Sequence, residues 1–251
     1  ANFMEMGGDK MADMAKQFAE EHMAELGGGK LRDMAFTMEG ANFMEMGGDK
    51  MADMAKQFAE EHMAELGGPK LKDMAVTMDR DNFIEMGGGK VVNMAKNMDG
   101  DLLVDLGNEQ AKGMTHAMED THITSLASDQ LVGLAKGIEF ADIPEIGNDK
   151  LIAMVDTIAD VKSLGENHLS SMMSGIEGDG IVNLDGTKKL SILDNLDANF
   201  FGTQNIDFTE IASAISEESR PTISEDNVGT TKISESNAFV GFDVGPVFQS
   251  T

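Results

Sequence analysis

The chain has 251 residues, 41% of them apolar, with 19 Lys and Arg against 45 Asp and Glu and a formal net charge of -26. Such a surface repels nucleic acid and anionic membrane, so neither is an expected partner, while divalent or basic counter-ions on the acidic surface are. There is no Cys, which excludes disulfides and thiolate metal sites, and no apolar run approaches the roughly eighteen residues of a membrane span.

In chain order, the first feature is a duplication. Residues 1–28 reappear unchanged as 41–68, and across Ala1–Gly40 against Ala41–Arg80 only Gly29/Pro69, Arg32/Lys72, Phe36/Val76, Glu39/Asp79 and Gly40/Arg80 differ. Each forty splits into twenties, ANFMEMGGDKMADMAKQFAE over EHMAELGGGKLRDMAFTMEG, and weaker copies run on to about residue 198. A period of twenty to fifty residues signals units that stack on their neighbours to bury a core.

Within the twenty-residue frame, column eleven reads Met11, Leu31, Met51, Leu71, Val91, Ala111, Leu131, Leu151. Column fourteen is Met except for Leu134, column fifteen is mostly Ala, and column eighteen alternates Phe, Met and Ile from Phe18 onward. Offsets of 0, 3, 4 and 7 place these columns on one helix face. Column seven is Gly in seven of the first eight copies, the residue expected just past a helix end, so Gly47 is predicted to be left-handed. Column eight is Gly, Asn or Ser and is predicted to be the next N-cap, with Pro69 at N1.

Columns three and six are apolar too, from Phe3/Met6 to Ile143/Ile146. Column eighteen lies five residues before the next column three, which turns about 140° off the stripe. Pro144 also interrupts any continuous helix in its copy. Each repeat is therefore predicted to be a one-turn helix, a Gly-Gly corner and a helix of about ten residues. The rival is one helix of about eighteen residues between successive corners. The expected fold is all-α: an α-solenoid of about nine to ten such repeats over residues 1–198.

After Asp160 the register slips by two, giving Ala159–Gly178 and Asp179–Ala198 as repeats. Residues 199–215, with Phe200, Phe201 and the amphipathic Ile206–Ile215, read as a degenerate last repeat or cap. Residues 216–251 join a Ser-, Glu- and Thr-rich linker, Ser216–Asn237, to an apolar, extended or strand-like arm, Ala238–Phe248.

Candidate chemistry is sparse. The 22 Met offer thioethers for Cu(I), but they alternate with Leu, Ile and Phe in the same columns, as a core filler does. His22, His62 and His122 share column two at spacings too long for one metal, so helix capping or a solvated surface is the better reading. Acids in column five (Glu5 to Glu145) and Lys in column ten (Lys10 to Lys150) make two ladders, read as solvated faces with weak ion pairs. Asp179–Gly186 fails the spacing of a calcium loop. No cofactor, resident metal or catalytic residue is assigned, and enzyme activity is not expected.

The leading expectation is a structural repeat protein that self-assembles head to tail into an extracellular or cell-surface filament or tube. The first repeat copies the third, an internal one, so it lacks the polar outer face of an end cap. The expected interface is Phe3, Met6, Met11, Met14 and Phe18 at one end with Phe239, Val240, Phe242, Val244, Val247 and Phe248 of the arm. The alternatives are a monomeric adhesion or protein-binding solenoid, as a piece of a larger secreted repeat protein, and an intracellular scaffold for a basic partner.

Overall fold

A computed structural model of the chain describes residues 6–176, 180–181 and 184–196, and every element among them is helical. The helices are α1 (Gly8–Lys16), α2 (Glu20–Leu26), α3 (Gly28–Thr37), α4 (Gly40–Met46), α5 (Gly48–Lys56), α6 (Glu60–Leu66), α7 (Gly68–Ala75), α8 (Arg80–Met86) and α9 (Gly88–Lys96). They continue as α10 (Gly100–Val104), α11 (Asn108–Ala117), α12 (Asp120–Ile123), α13 (Ser128–Gly137), the 3₁₀ turn η1 (Ile143–Ile146), α14 (Asn148–Thr157), the 3₁₀ turn η2 (Val161–Leu164), α15 (Glu166–Gly175) and α16 (Gly186–Asn195). The short-helix pair is thus the unit, and the single eighteen-residue helix does not form. The short member starts earlier than the column-three stripe implies, at column twenty, and runs seven residues in the early copies.

Gly in column seven makes the corner. At Gly47 φ is 81° and ψ is 164°, and Gly7, Gly27, Gly67, Gly87, Gly107, Gly147 and Gly165 also have positive φ. This is an extended mirror region open essentially to Gly alone, not the left-handed helical conformation expected. The carbonyl of Gly47 opens the next helix by accepting from Met51, so one residue ends α4 and caps α5. Ala127, the exception in the column, keeps a ψ of 156° and reaches it with φ at -71°. Gly165 confirms the two-residue slip after Asp160.

Column eight is therefore not the N-cap; it is the first helical residue. Its smallness answers a crowding from far along the chain. A Cβ on Gly8 would lie 2.7 Å from the Thr37 carbonyl oxygen, and one on Gly48 2.7 Å from that of Thr77. Isolated helices of seven to ten residues are marginal in water, so such close packing is what holds them.

The packing follows one rule: each helix lies on the third one after it, with the helical residues 180–181 counted as a step between α15 and α16. One file runs α1, α4, α7, α10, α13, η2, α16; a second runs α2, α5, α8, α11, η1, α15; a third runs α3, α6, α9, α12, α14. Long and short helices alternate along every file, because three is odd and the chain alternates long with short. Three consecutive helices, about one and a half repeats, make one layer.

Columns three, six, eleven, fourteen, fifteen and eighteen meet in a single apolar cluster, as in Phe43, Met46, Met51, Met54, Ala55 and Phe58. Most Met side chains are packed there beside Leu, Ile and Phe, while Met44 stands out into solvent. No described helix is long and apolar enough to cross a membrane.

Candidate functional site

The chemistry of this molecule lies in how one layer holds the next. Column two caps α2, α4, α6, α8 and α12 from within. The Oδ1 of Asn42 accepts from the Glu39 backbone N–H at 2.9 Å, and Asn82 does the same for Asp79 at 3.1 Å. In other copies His replaces Asn: Nδ1 of His22, His62 and His122 accepts from Ala19, Ala59 and Glu119 N–H, each at 3.1 Å. These three imidazoles are helix caps, and the bond requires an unprotonated Nδ1. Later copies reach the equivalent N–H from the preceding layer. Asn108 Oδ1 accepts from Glu139 at 2.8 Å and Ser128 Oγ from Ala159 at 2.9 Å, which is what the non-Gly residues of column eight do.

Column ten ties layers together. The ammonium of Lys50 donates to the Phe18 carbonyl at 2.5 Å, Lys70 to that of Met38, and Lys90 to that of Phe58. Gln110 and Gln130 reach the Met78 and Met98 carbonyls, and Lys150 that of His116 at 2.7 Å. Each cation sits on the C-terminal end of an earlier helix, where the backbone dipole favours it. These Lys do not form the solvated ladder expected; Lys50, Lys70, Lys90 and Lys150 are half-buried instead. Their carbonyl partners lie more than thirty residues back, invisible to any local pattern.

Column five is the second tie. Glu45 pairs with Lys16 at 2.9 Å, Glu85 with Lys56 at 2.6 Å, Asp105 with Lys72 at 3.3 Å, Glu145 with Lys112 at 3.4 Å, and Glu65 with Arg32. The cation comes from column sixteen in odd-numbered repeats and from column twelve in even-numbered ones. With one partner exposed in each pair, individual energies stay below about 1 kcal/mol, as expected from sequence.

One charge cluster gathers Glu20, Asp53 and Glu85, whose carboxylate oxygens lie within 4.8 Å of one another. The Lys56 ammonium already serves all three, at 3.3, 3.6 and 2.6 Å. Burial raises the Asp53 carboxyl above its ordinary value, with Lys56 pulling the other way. Burial lowers Lys56, but its hydrogen bonds to Glu85 and Glu20 outweigh this and leave it raised. The arrangement is an ion-pair junction linking three layers, built around the protein's own cation. Elsewhere, the hydrogen bond from Asn108 and then that from Lys112 hold Asp142 below the usual carboxylate range.

The expected interface residues separate. Met6, Met14 and Phe18 are half-buried. Met11 is fully buried by its own chain, which removes it from the exposed end, because column eleven points into the core of its own layer. Phe3 and the arm residues Phe239, Val240, Phe242, Val244, Val247 and Phe248 lie outside the described residues, as do residues 199–215 and 216–251. Leu26, Glu25, Lys10 and Lys30, expected as part of an apolar column and of two solvated ladders, lie in the same first three helices. Leu26 is half-buried, and Glu25, Lys10 and Lys30 are exposed.

The chain matches no protein-family model, no curated protein and no solved structure.

Proposed function

We propose that the chain is a structural repeat protein, an α-solenoid whose copies join head to tail into a filament or tube outside the cell or on its surface. The solenoid reading is supported by the rule that each helix lies on the third one after it, and by hydrogen bonds that recur at separations near 32 residues. Polymerisation is carried by one observation: the joint between layers recurs with the same tie at Lys50, Lys70 and Lys90, so the same joint suits a contact between copies. Met14, Phe18 and Leu26 are half-buried in the first layer, whereas Met54, Phe58 and Leu66, the same residues in an identical stretch of sequence, are buried at 0%, 0% and 5% exposure.

Covering each of these side chains fully is worth up to roughly 1.5–3 kcal/mol, and several are needed to meet the cost of association. A contact between unlike ends does not close on itself, so it propagates. The acidic surface, at -26 per copy, keeps such a polymer dispersed. Negative-stain microscopy of the purified chain tests the reading. Long fibres or tubes are the expected result; single short rods at every concentration would overturn it in favour of a monomeric adhesion or binding solenoid.

A further inference from the structure

We propose that the cleft between η1 and α15 binds a neutral sugar ring of a carbohydrate chain, with the Phe140 side chain as its stacking platform. This holds whether or not the copies join. Phe140, Ala141 and Pro144 form one wall, Asn167, Ser170, Ser171 and Ser174 on α15 form the other, and the cleft measures about 440 Å³. That lies within the range of ligand sites, about 300–1,000 Å³. Phe140 is 57% exposed, and Ser171 Oγ donates to its backbone carbonyl, which fixes the platform against α15. The two elements meet tightly at Pro144, where a Cβ on Gly175 would lie 2.9 Å from the proline Cα.

The repeat itself shows what has changed here. Helices α2 and α5 are consecutive in the second file, as η1 and α15 are, and with the two-residue slip their positions correspond. Glu20 and Glu21 match Phe140 and Ala141, while Asp49, Asp53 and Lys56 match Asn167, Ser171 and Ser174. In the earlier joint Lys56 fills the space with ion pairs to Glu20 and Asp53. In the later one every one of those charges is gone, replaced by an aromatic ring, a methyl, an amide and two hydroxyls. Asp142 and Glu145, beside Pro144 in the chain, are tied to Lys112 of an earlier layer. An ion would find no counter-charge in such a cleft, and a purely apolar ligand would strand the Ser and Asn side chains. The side chains of Asn167 and Ser170 make no hydrogen bond among the described residues, so their donors and acceptors are open to a ligand. A pyranose ring suits both walls: its C–H face lies on the aromatic ring, and its hydroxyls pair with the amide and hydroxyl groups.

The test is calorimetric titration of the full chain with neutral cello-, manno-, malto- and chito-oligosaccharides, beside oligogalacturonate as a charged comparison. At least one neutral series should bind, with a Kd between millimolar and micromolar and an affinity unmoved by added salt. Phe140→Ala should weaken it about tenfold, the loss of a stacking contact, while Phe36→Ala, at an exposed aromatic outside the cleft, should change nothing. A Ser171→Asp, Ser174→Lys double variant writes the Asp53–Lys56 pair of α5 into α15 and should abolish binding. Circular dichroism checks that each variant stays helical. Absence of binding to every neutral series, binding indifferent to Phe140→Ala or to the double variant, or a preference for oligogalacturonate would each overturn the site. None of these outcomes touches the polymer reading, which microscopy decides separately.

Discussion

A single Gly sets the geometry of each corner, and its demand differs from that of its neighbour. At Gly47 the constraint is backbone sign: nothing lies within 4 Å of where its Cβ would be, yet φ is 81°. At Gly48 the φ is ordinary and the constraint is space, with the Thr77 carbonyl 2.7 Å from a Cβ. Gly47→Val should therefore cost about 1–3 kcal/mol by denaturant unfolding, the strain of a β-branched residue in that region. Ala127→Gly, where φ is already negative, should gain nothing. The seventh column was legible in the sequence because a chain reversal between helices needs Gly locally. The role of the eighth was not, since its clash partner lies 29 residues on.

Protonation also acts residue by residue. Burial lowers His116 and His168 below the ordinary 6.5, partly offset in His168 by its contact with the Ile138 carbonyl. A depressed folded value means that the neutral ring is favoured by folding. The resulting stability is complete above the ordinary value and is lost as pH falls through the depressed one. Thermal midpoints measured from pH 7.5 down to about 5 should show this loss, and a His116→Gln, His168→Gln double variant should show less of it. Comparing the two cancels the general relief of repulsion as an acidic chain approaches its isoelectric point.

At the scale of the element, a long helix gains stability from a cation that arrives from the next layer. Lys70→Met removes the donor on the Met38 carbonyl and should cost about 1 kcal/mol, a typical value for a charge at a helix C-terminus. Lys30→Met makes the same change where no carbonyl partner lies among the described residues, and should leave the unfolding midpoint of the monomer unmoved. The helix boundaries could be read from periodicity because they depend on columns a few residues apart. The three files could not: every repeat carries the same code, so the pattern fixes which face is buried and leaves open which neighbour buries it.

At the scale of the molecule, the duplicated segment is an internal control, one sequence in two settings. Met54→Ala in the interior setting should cost about 2–5 kcal/mol, as buried Met truncations do. Met14→Ala in the end setting should cost clearly less, by the same denaturant measurement. The forty-residue period also acquires a cause. Every column-five ion pair, and each Asp–Asn bond beside it, joins a repeat to the second one after it: Asp9 to Asn42, Lys16 to Glu45, Arg32 to Glu65, Asp49 to Asn82. Odd-numbered repeats must complement odd and even must complement even, so a duplication by two units copies both sides of the joint at once.

The three-file arrangement carries a consequence for repeat number. In the proposed solenoid, each twenty-residue unit adds two helices to a rotation that takes three, so inserting or deleting one unit would turn everything beyond it by two thirds of a revolution, without breaking the alternation of long on short. Only changes of three units restore the original azimuth. Copy number therefore acts as an angular setting: it fixes the direction in which the far end faces relative to the near one, and with it the pitch of any chain of molecules built by joining the two.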